Sequence, residues 1–158
     1  MTVLRCSFDD LPPRLAYEAW RLRQDVFVIE QDCPYPDLDG RDLEPGTVHL
    51  LLVEDDVLLG YLRVLDDGDR ARVGRVVLRG TARGRGLADP LMAAALDVIG
   101  ERPSHLDAQA PLAGWYARFG YAVTGPEFLE DGIPHLPMER PGTGAGGATG
   151  ATGSQASV

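Results

Sequence analysis

Two apolar periodicities alternate along the chain. Between Leu11 and Val28 the positions Leu15, Ala19, Leu22 and Val26, followed by Ile29, recur every three or four residues, which predicts an amphipathic helix starting after Pro12 and Pro13. A short strand precedes it. The runs HLLLVED and VLLGYLRVLDDGD predict a hairpin closed through a two-aspartate turn, and ARVGRVVL predicts a further strand ending at Leu78. Helical spacing returns at Leu87, Leu91, Ala95 and Val98, with Met92, Leu96 and Ile99 beside them. Pro90 fits there only within the first turn. HLDAQA then predicts a strand, APLAGWYARFG a short helix ending at Gly120, and YAVTG a last strand.

Two segments carry neither period. CPYPDLDGRDLEP, residues 33–45, mixes prolines and a glycine with acids and predicts a long loop, and long ordered loops in small domains are often functional. From residue 141 on, PGTGAGGATGATGSQASV predicts a flexible tail, leaving residues 1–140 as one folded domain. The element order is strand, helix, loop, hairpin, strand, helix, strand, helix, strand. It predicts a mixed α/β fold whose sheet cannot be wholly parallel.

Composition narrows the function. The chain has 158 residues, 44% of them hydrophobic, enough for one core without a staple. Cys6 and Cys33 are too few for a disulfide framework or a zinc cluster, so free thiols and no metal are expected. There is no signal-like opening and no run long enough to span a bilayer, which predicts a cytoplasmic protein without a membrane partner. The net charge is -9 and lies in the first half: residues 1–70 hold 7 Arg against 16 acids, residues 71–158 hold 8 against 8. A pI near 4.7 opposes a nucleic-acid partner. Against that background Arg72, Arg75, Arg79, Arg83 and Arg85 fall in 14 residues free of acid, a strip that attracts anions. Every basic residue is Arg.

The strip ends in RGRGLA, Arg83 to Ala88, where a strand enters a glycine turn and then a helix. Amides at such a helix start point outward and bind phosphate oxygens. Gly84 and Gly86 let a ligand approach the backbone, and Arg83 and Arg85 add charge. The turn lacks the Lys and hydroxyl of a P-loop and the third glycine of a dinucleotide fingerprint. Taken alone it reads equally as a Gly-rich connection with incidental arginines.

The pattern RxxGxA, with Arg83, Gly86 and Ala88 fixed, resembles the pyrophosphate motif of the GNAT acetyltransferase superfamily, and the element order resembles that fold over residues 3–140. Four ordered segments, RLRQDVFVIEQDCPYPDLDGRD, GRVVL, DAQAPLAGWYARFGY and EDGIPHLPM, resemble the ElaA-like branch. The resemblance implies a mixed central sheet with a splayed strand pair and flanking helices. It implies an enzyme that moves an acetyl group from acetyl-CoA to a primary amine by direct attack in a ternary complex. Val76, Val77 and Leu78 would pair with the pantetheine arm, and Arg83, Gly84, Arg85, Gly86, Leu87 and Ala88 would hold the pyrophosphate. Gln109, seven residues before Tyr116, stands where the family usually has Asn and would bind the cofactor. Tyr116 would protonate the departing thiolate. Without the resemblance, Tyr116 reads as part of an aromatic core patch with Trp115, Phe119 and Tyr121.

For the acceptor side, Glu30, Asp107 and His135 are the candidates, since a carboxylate or imidazole can take the proton of an attacking amine. Each has an ordinary alternative: Glu30 in an ion pair, Asp107 orienting an Arg, His135 at a strand entry. The acidic loop would attract a cationic acceptor, a small-molecule amine or a protein lysine. A non-catalytic acyl-CoA sensor or partner subunit is a competing class, and an acyl-homoserine-lactone-type synthase a further one. Nothing in the sequence fixes the oligomeric state.

Overall fold

The computed structural model describes residues 1–144, which fall into two compact units. The first comprises Met1–Asp66 and Val73–Val98, the second Asp67–Arg72 and the chain from Ile99 onward.

In the first unit the strands β1 (Thr2–Cys6), β2 (Val48–Glu54), β3 (Val57–Asp66) and most of β4 (Ala71–Leu78) lie in sequence order. β1 pairs antiparallel with β2, and β2 with β3. The hairpin turn places Asp55 and Asp56 at φ of 50° and 62°, the left-handed pair that a two-residue turn between twisted strands requires. α1 (Pro13–Arg23) lays Ala19 and Leu22 into a core with Leu11, Leu51, Leu58, Tyr61 and Val77. Burying a leucine contributes about 1.5–3 kcal/mol. α2 (Ala88–Ile99) starts one residue later than expected and holds Pro90 in its first turn, where no amide is needed. Gly60 on β3 permits a close approach: a Cβ there would stand 2.5 Å from Leu78 Cδ2 and 3.1 Å from Val77 O.

The first helix does not continue as expected. Beyond Arg23 the chain turns π-helical over Gln24–Glu30, with Gln31 N donating to Val26 O at 3.1 Å and Cys33 N to Val28 O at 3.0 Å. The wider turn rotates the apolar stripe, so Ile29 is 63% exposed rather than buried.

The second unit is built on β5 (Ser104–Gln109), α3 (Ala113–Ala117), β6 (Ala122–Val123), β7 (Phe128–Glu130) and β8 (Ile133–Arg140). β8 was not expected from the pattern, because Pro134 and Pro137 interrupt it. It is nevertheless the strand on which β5, β6 and β7 all pair, antiparallel in each case. The first two residues of β4 pair in parallel with β5, Ala71 with Ser104 and Arg72 with His105, and no further. The fold is therefore α/β with mixed pairing. Tyr116 and Tyr121 are buried with Leu106, Ala108 and Met138, and the Tyr121 hydroxyl lies 2.7 Å from Ser104 Oγ.

No described helix is long and apolar enough to cross a membrane. From residue 145 the expected tail lies outside the described residues. Its first part is described, and there Thr143 N donates to Glu101 O at 3.0 Å.

Candidate functional site

The turn after β4 begins with a single 3₁₀ turn at Gly80–Ala82, anchored by Arg79 N donating to Leu59 O at 2.8 Å. Gly84 and Gly86 follow at φ of 74° and 70°, a region that side chains rarely enter. Leu87 is buried and pegs the turn to the core, while residues 83–86 are exposed. Within the described residues the amides of Gly84, Arg85, Gly86, Leu87 and Ala88 have no acceptor, and the Arg85 guanidinium has no ionic partner. Outward amides at the head of a 12-residue helix, beside an uncommitted cation, form a donor set that suits phosphate oxygens.

Arg83 and Glu30 come together in this unit. The Arg83 guanidinium donates from Nη1 and Nη2 to the two Glu30 oxygens at 2.6 and 2.7 Å. The π-helical stretch delivers Glu30 to that position. The bond from Arg83 holds the Glu30 carboxyl below the usual carboxylate range, the reverse of what a proton acceptor needs. While this pair holds, Glu30 is a counter-ion.

The largest electrostatic feature was not anticipated. Arg23 is fully buried and donates from Nε to Asp37 at 2.9 Å, from Nη1 to Asp42 at 2.8 Å and from Nη2 to Asp37 O at 2.9 Å. Its Cζ lies 4.9 Å from the Trp20 ring centre and 5.5 Å from that of Tyr61. Arg63, on β3, donates to both Asp39 oxygens at 2.9 and 2.6 Å and to Asp42 at 3.0 Å. Arg75, on β4, reaches Asp37 O at 3.1 Å and forms an ion pair with the Asp37 carboxylate at 2.8 Å. Three arginines from three elements thus converge on three aspartates of the 33–45 loop.

The titration shifts follow. Hydrogen bonds from Arg63 hold Asp39 far below the ordinary range. Burial pushes Asp42 upward, but Arg23 and Arg63 outweigh it and the net shift is down. Burial lowers His49, whose Nε2–H donates to Asp42 O at 3.0 Å while Nδ1 accepts from the Tyr61 hydroxyl at 2.7 Å. This neutral tautomer satisfies both contacts. Three arginines thus offset the three loop aspartates locally. A sequence signal existed: Arg63 interrupts the apolar run of β3, and Arg23 sits four residues after Ala19 on the buried stripe. A charge in such a position needs a buried partner.

The remaining candidates lie in the second unit, apart from β4, where Val77 is buried in the first core and Val76 and Leu78 are half-buried. Gln109 and His135 stand directly opposite each other across β5 and β8. His135 Nδ1–H donates to Ile133 O at 2.7 Å, which leaves Nε2 with its lone pair, and Glu130 lies 3.7 Å from that nitrogen. Phe128 stacks on the imidazole at 5.8 Å. Asp107 is committed to Arg72 at 2.7 Å. Tyr116 makes edge contacts with Trp115 at 4.8 Å and Tyr121 at 6.4 Å, as the core-patch alternative supposed. Its hydroxyl has no hydrogen-bond partner among the described residues. Burial raises the Tyr116 phenol well above its ordinary value, with the neighbouring Tyr121 adding to the shift. Among the described residues there is no group of three or more His, Cys, Asp or Glu side chains placed to hold a metal ion.

The chain matches the acetyltransferase (GNAT) domain family over residues 26–141. It is 46% identical over 140 residues to a UPF0039 protein of Mycobacterium tuberculosis, covering 85% of this chain and 90% of that one. It is 38% identical over 131 residues to Protein ElaA of Escherichia coli, covering 78% and 86%. Among solved structures it is similar to an acyl-CoA N-acyltransferase from Pseudomonas aeruginosa, with a TM-score of 0.83 and 40% identity over 88% of this chain and 98% of the other.

Proposed function

The chain belongs to the GNAT acetyltransferase family, in its ElaA-like branch, and is an acyltransferase; from that premise we propose that it moves an acetyl group from acetyl-CoA to a primary amine. The observation that carries the donor half is the row of amides at Gly84 to Ala88 without acceptors, beside the unpaired Arg85. The pyrophosphate sits on those amides, and Arg83 and Arg85 supply charge-assisted bonds. The backbone of Val76, Val77 and Leu78 takes the pantetheine arm, and Gln109 adds amide contacts.

In the reaction the neutral amine attacks the thioester carbonyl, the C–N bond forms, and the C–S bond breaks with its electron pair on sulfur. Tyr116 gives its proton to that sulfur as negative charge builds. Burial favours the protonated phenol, and its hydroxyl has no competing partner among the described residues. Position, rather than acidity, is what it supplies, because a parent thiol near pKa ~8.5 is the stronger acid of the two. His135 Nε2 takes the proton that the amine loses, its lone pair fixed there by the Nδ1 bond to Ile133 O. Asp107, held by Arg72, orients rather than reacts.

Thiol release from acetyl-CoA, measured across small amines, peptides and aminoglycosides, tests the reading. With the best acceptor, Tyr116→Phe lowers turnover about a hundredfold and leaves donor affinity within twofold. Full turnover in that variant would return Tyr116 to core packing, and no release with any acceptor would favour a non-catalytic acyl-CoA binder. The chain contains no lysine, so acetylation of its own lysines cannot obscure transfer to a peptide.

A further inference from the structure

Among the described residues Arg75 is the one non-glycine residue at positive φ, 54°, that lies inside a strand; the others, Asp32, Asp55, Asp56 and Asp131, sit in turns. A residue with a Cβ is disfavoured in that conformation, and it persists only where surrounding contacts determine it. The side-chain contacts of Arg75 all come from the 33–45 loop. The Arg75 guanidinium donates to Asp37 O at 3.1 Å and to Asp39 at 3.4 Å, pairs with the Asp37 carboxylate at 2.8 Å, and lies 5.5 Å over the Tyr35 ring. Tyr35 in turn donates its hydroxyl to Asp37 at 2.5 Å. The loop does not depend on Arg75 for its own position, because Arg23 and Arg63 grip the same three aspartates from α1 and β3.

We propose that Arg75 is a positioning residue for donor binding: the fixed loop holds its side chain, the side chain holds the kink in β4, and the kink sets the backbone edge of Val76 to Leu78. This rests on the reading that the donor arm pairs with that edge. Arg75 touches no donor atom in this scheme. Its influence passes through one peptide unit to Val76.

Arg63 supplies the comparison that separates positioning from general support, since it binds Asp39 and Asp42 of the same loop but projects from β3. Calorimetric CoA binding and thermal unfolding are measured for wild type, Arg75→Ala, Arg75→Lys and Arg63→Lys. Arg75→Ala keeps a Cβ, and with it the cost of positive φ, but deletes the tether, so CoA binding weakens about tenfold with a modest fall in Tm. Arg75→Lys restores part of that loss through its remaining charge on Asp37. Arg63→Lys lowers Tm at least as far and leaves CoA binding within about twofold. CoA binding to Arg75→Ala as tight as to wild type would overturn the inference, and so would losses that track Tm in all three variants. Failure of the wild type itself to bind CoA would overturn the donor reading first, and this inference with it.

Discussion

Arg23 and Arg83 hold carboxylates through the same charge-assisted hydrogen bonds, none longer than 2.9 Å, yet their surroundings are opposite. Arg23 is 0% exposed and its aspartates 8%; Arg83 is 43% exposed and Glu30 50%. In the first case water cannot replace a lost partner, so the contact is permanent and builds structure. In the second, water or a phosphate oxygen can replace Glu30, so the contact is exchangeable. One pairing chemistry thus serves a lock in the loop and a replaceable ligand in the turn, and burial alone decides which. In the scheme proposed above the two regions also differ in role: the turn meets the donor, and the loop acts on it only at one remove.

The comparison breaks most sharply at Arg23. Arg23→Met strips one of two arginines from each of the buried carboxylates Asp37 and Asp42 and destabilises the fold by about 3 kcal/mol in urea unfolding. A loss under about 1 kcal/mol would mean that the loop is held by packing and not by charge. Gly86→Glu strikes the exchangeable region: it puts a carboxylate among the amides and a side chain at φ of 70°, and CoA affinity falls roughly tenfold or more with only the few-degree fall in Tm that the backbone strain costs. Equal affinity of the two proteins would remove the turn from the donor site.

Acid distinguishes the regions next. The carboxyls of Asp39 and Asp42 are depressed in the folded state, so on acidification the unfolded chain takes up protons first. Their contribution to stability is flat above about pH 5 and falls as the pH drops below the ordinary carboxylate range near ~4, beyond the earlier loss that buried His49 adds below its ordinary value near ~6.5. In Arg63→Lys, whose aspartates are less depressed, the fall is shallower; an unchanged acid limb would show that other groups govern it. The smallest effect is at Glu30. Glu30→Gln frees Arg83 and tightens CoA binding about threefold at low ionic strength, a gain that vanishes at high salt. Weaker binding would make Glu30 an aid to Arg83 rather than its placeholder.

The sequence disclosed features whose cause is local. RGRGLA could be read because a glycine turn between strand and helix exposes amides whatever surrounds it, and the hairpin because DD between apolar runs admits few alternatives. β8 was hidden because Pro134 and Pro137 remove donors that a strand normally uses, and only its partners β5, β6 and β7 compensate. The π-helical stretch was hidden because Val26 and Ile29 satisfy an α-helical period equally well. The arginine lock was hidden in a different way. Asp37, Asp39 and Asp42 look like a solvated acidic loop unless Arg23 and Arg63 are first recognised as buried, and that depends on contacts between residues 14 to 24 positions apart.

Gly60 and the turn glycines are irreplaceable for unrelated reasons, and mirror-image chemistry tells them apart. Gly60 lacks volume for any added carbon, with Leu78, Leu91 and Val77 all within 3.1 Å of where it would go. Gly84 and Gly86 have open space on that side and refuse only the handedness of natural residues. A protein assembled by ligation with D-alanine at both turn positions would keep its amides aimed outward and lose some of the slack that glycine brings to the unfolded chain. Stereochemistry, which ribosomal synthesis cannot vary, is thus a coordinate that separates this turn from the packed site at Gly60.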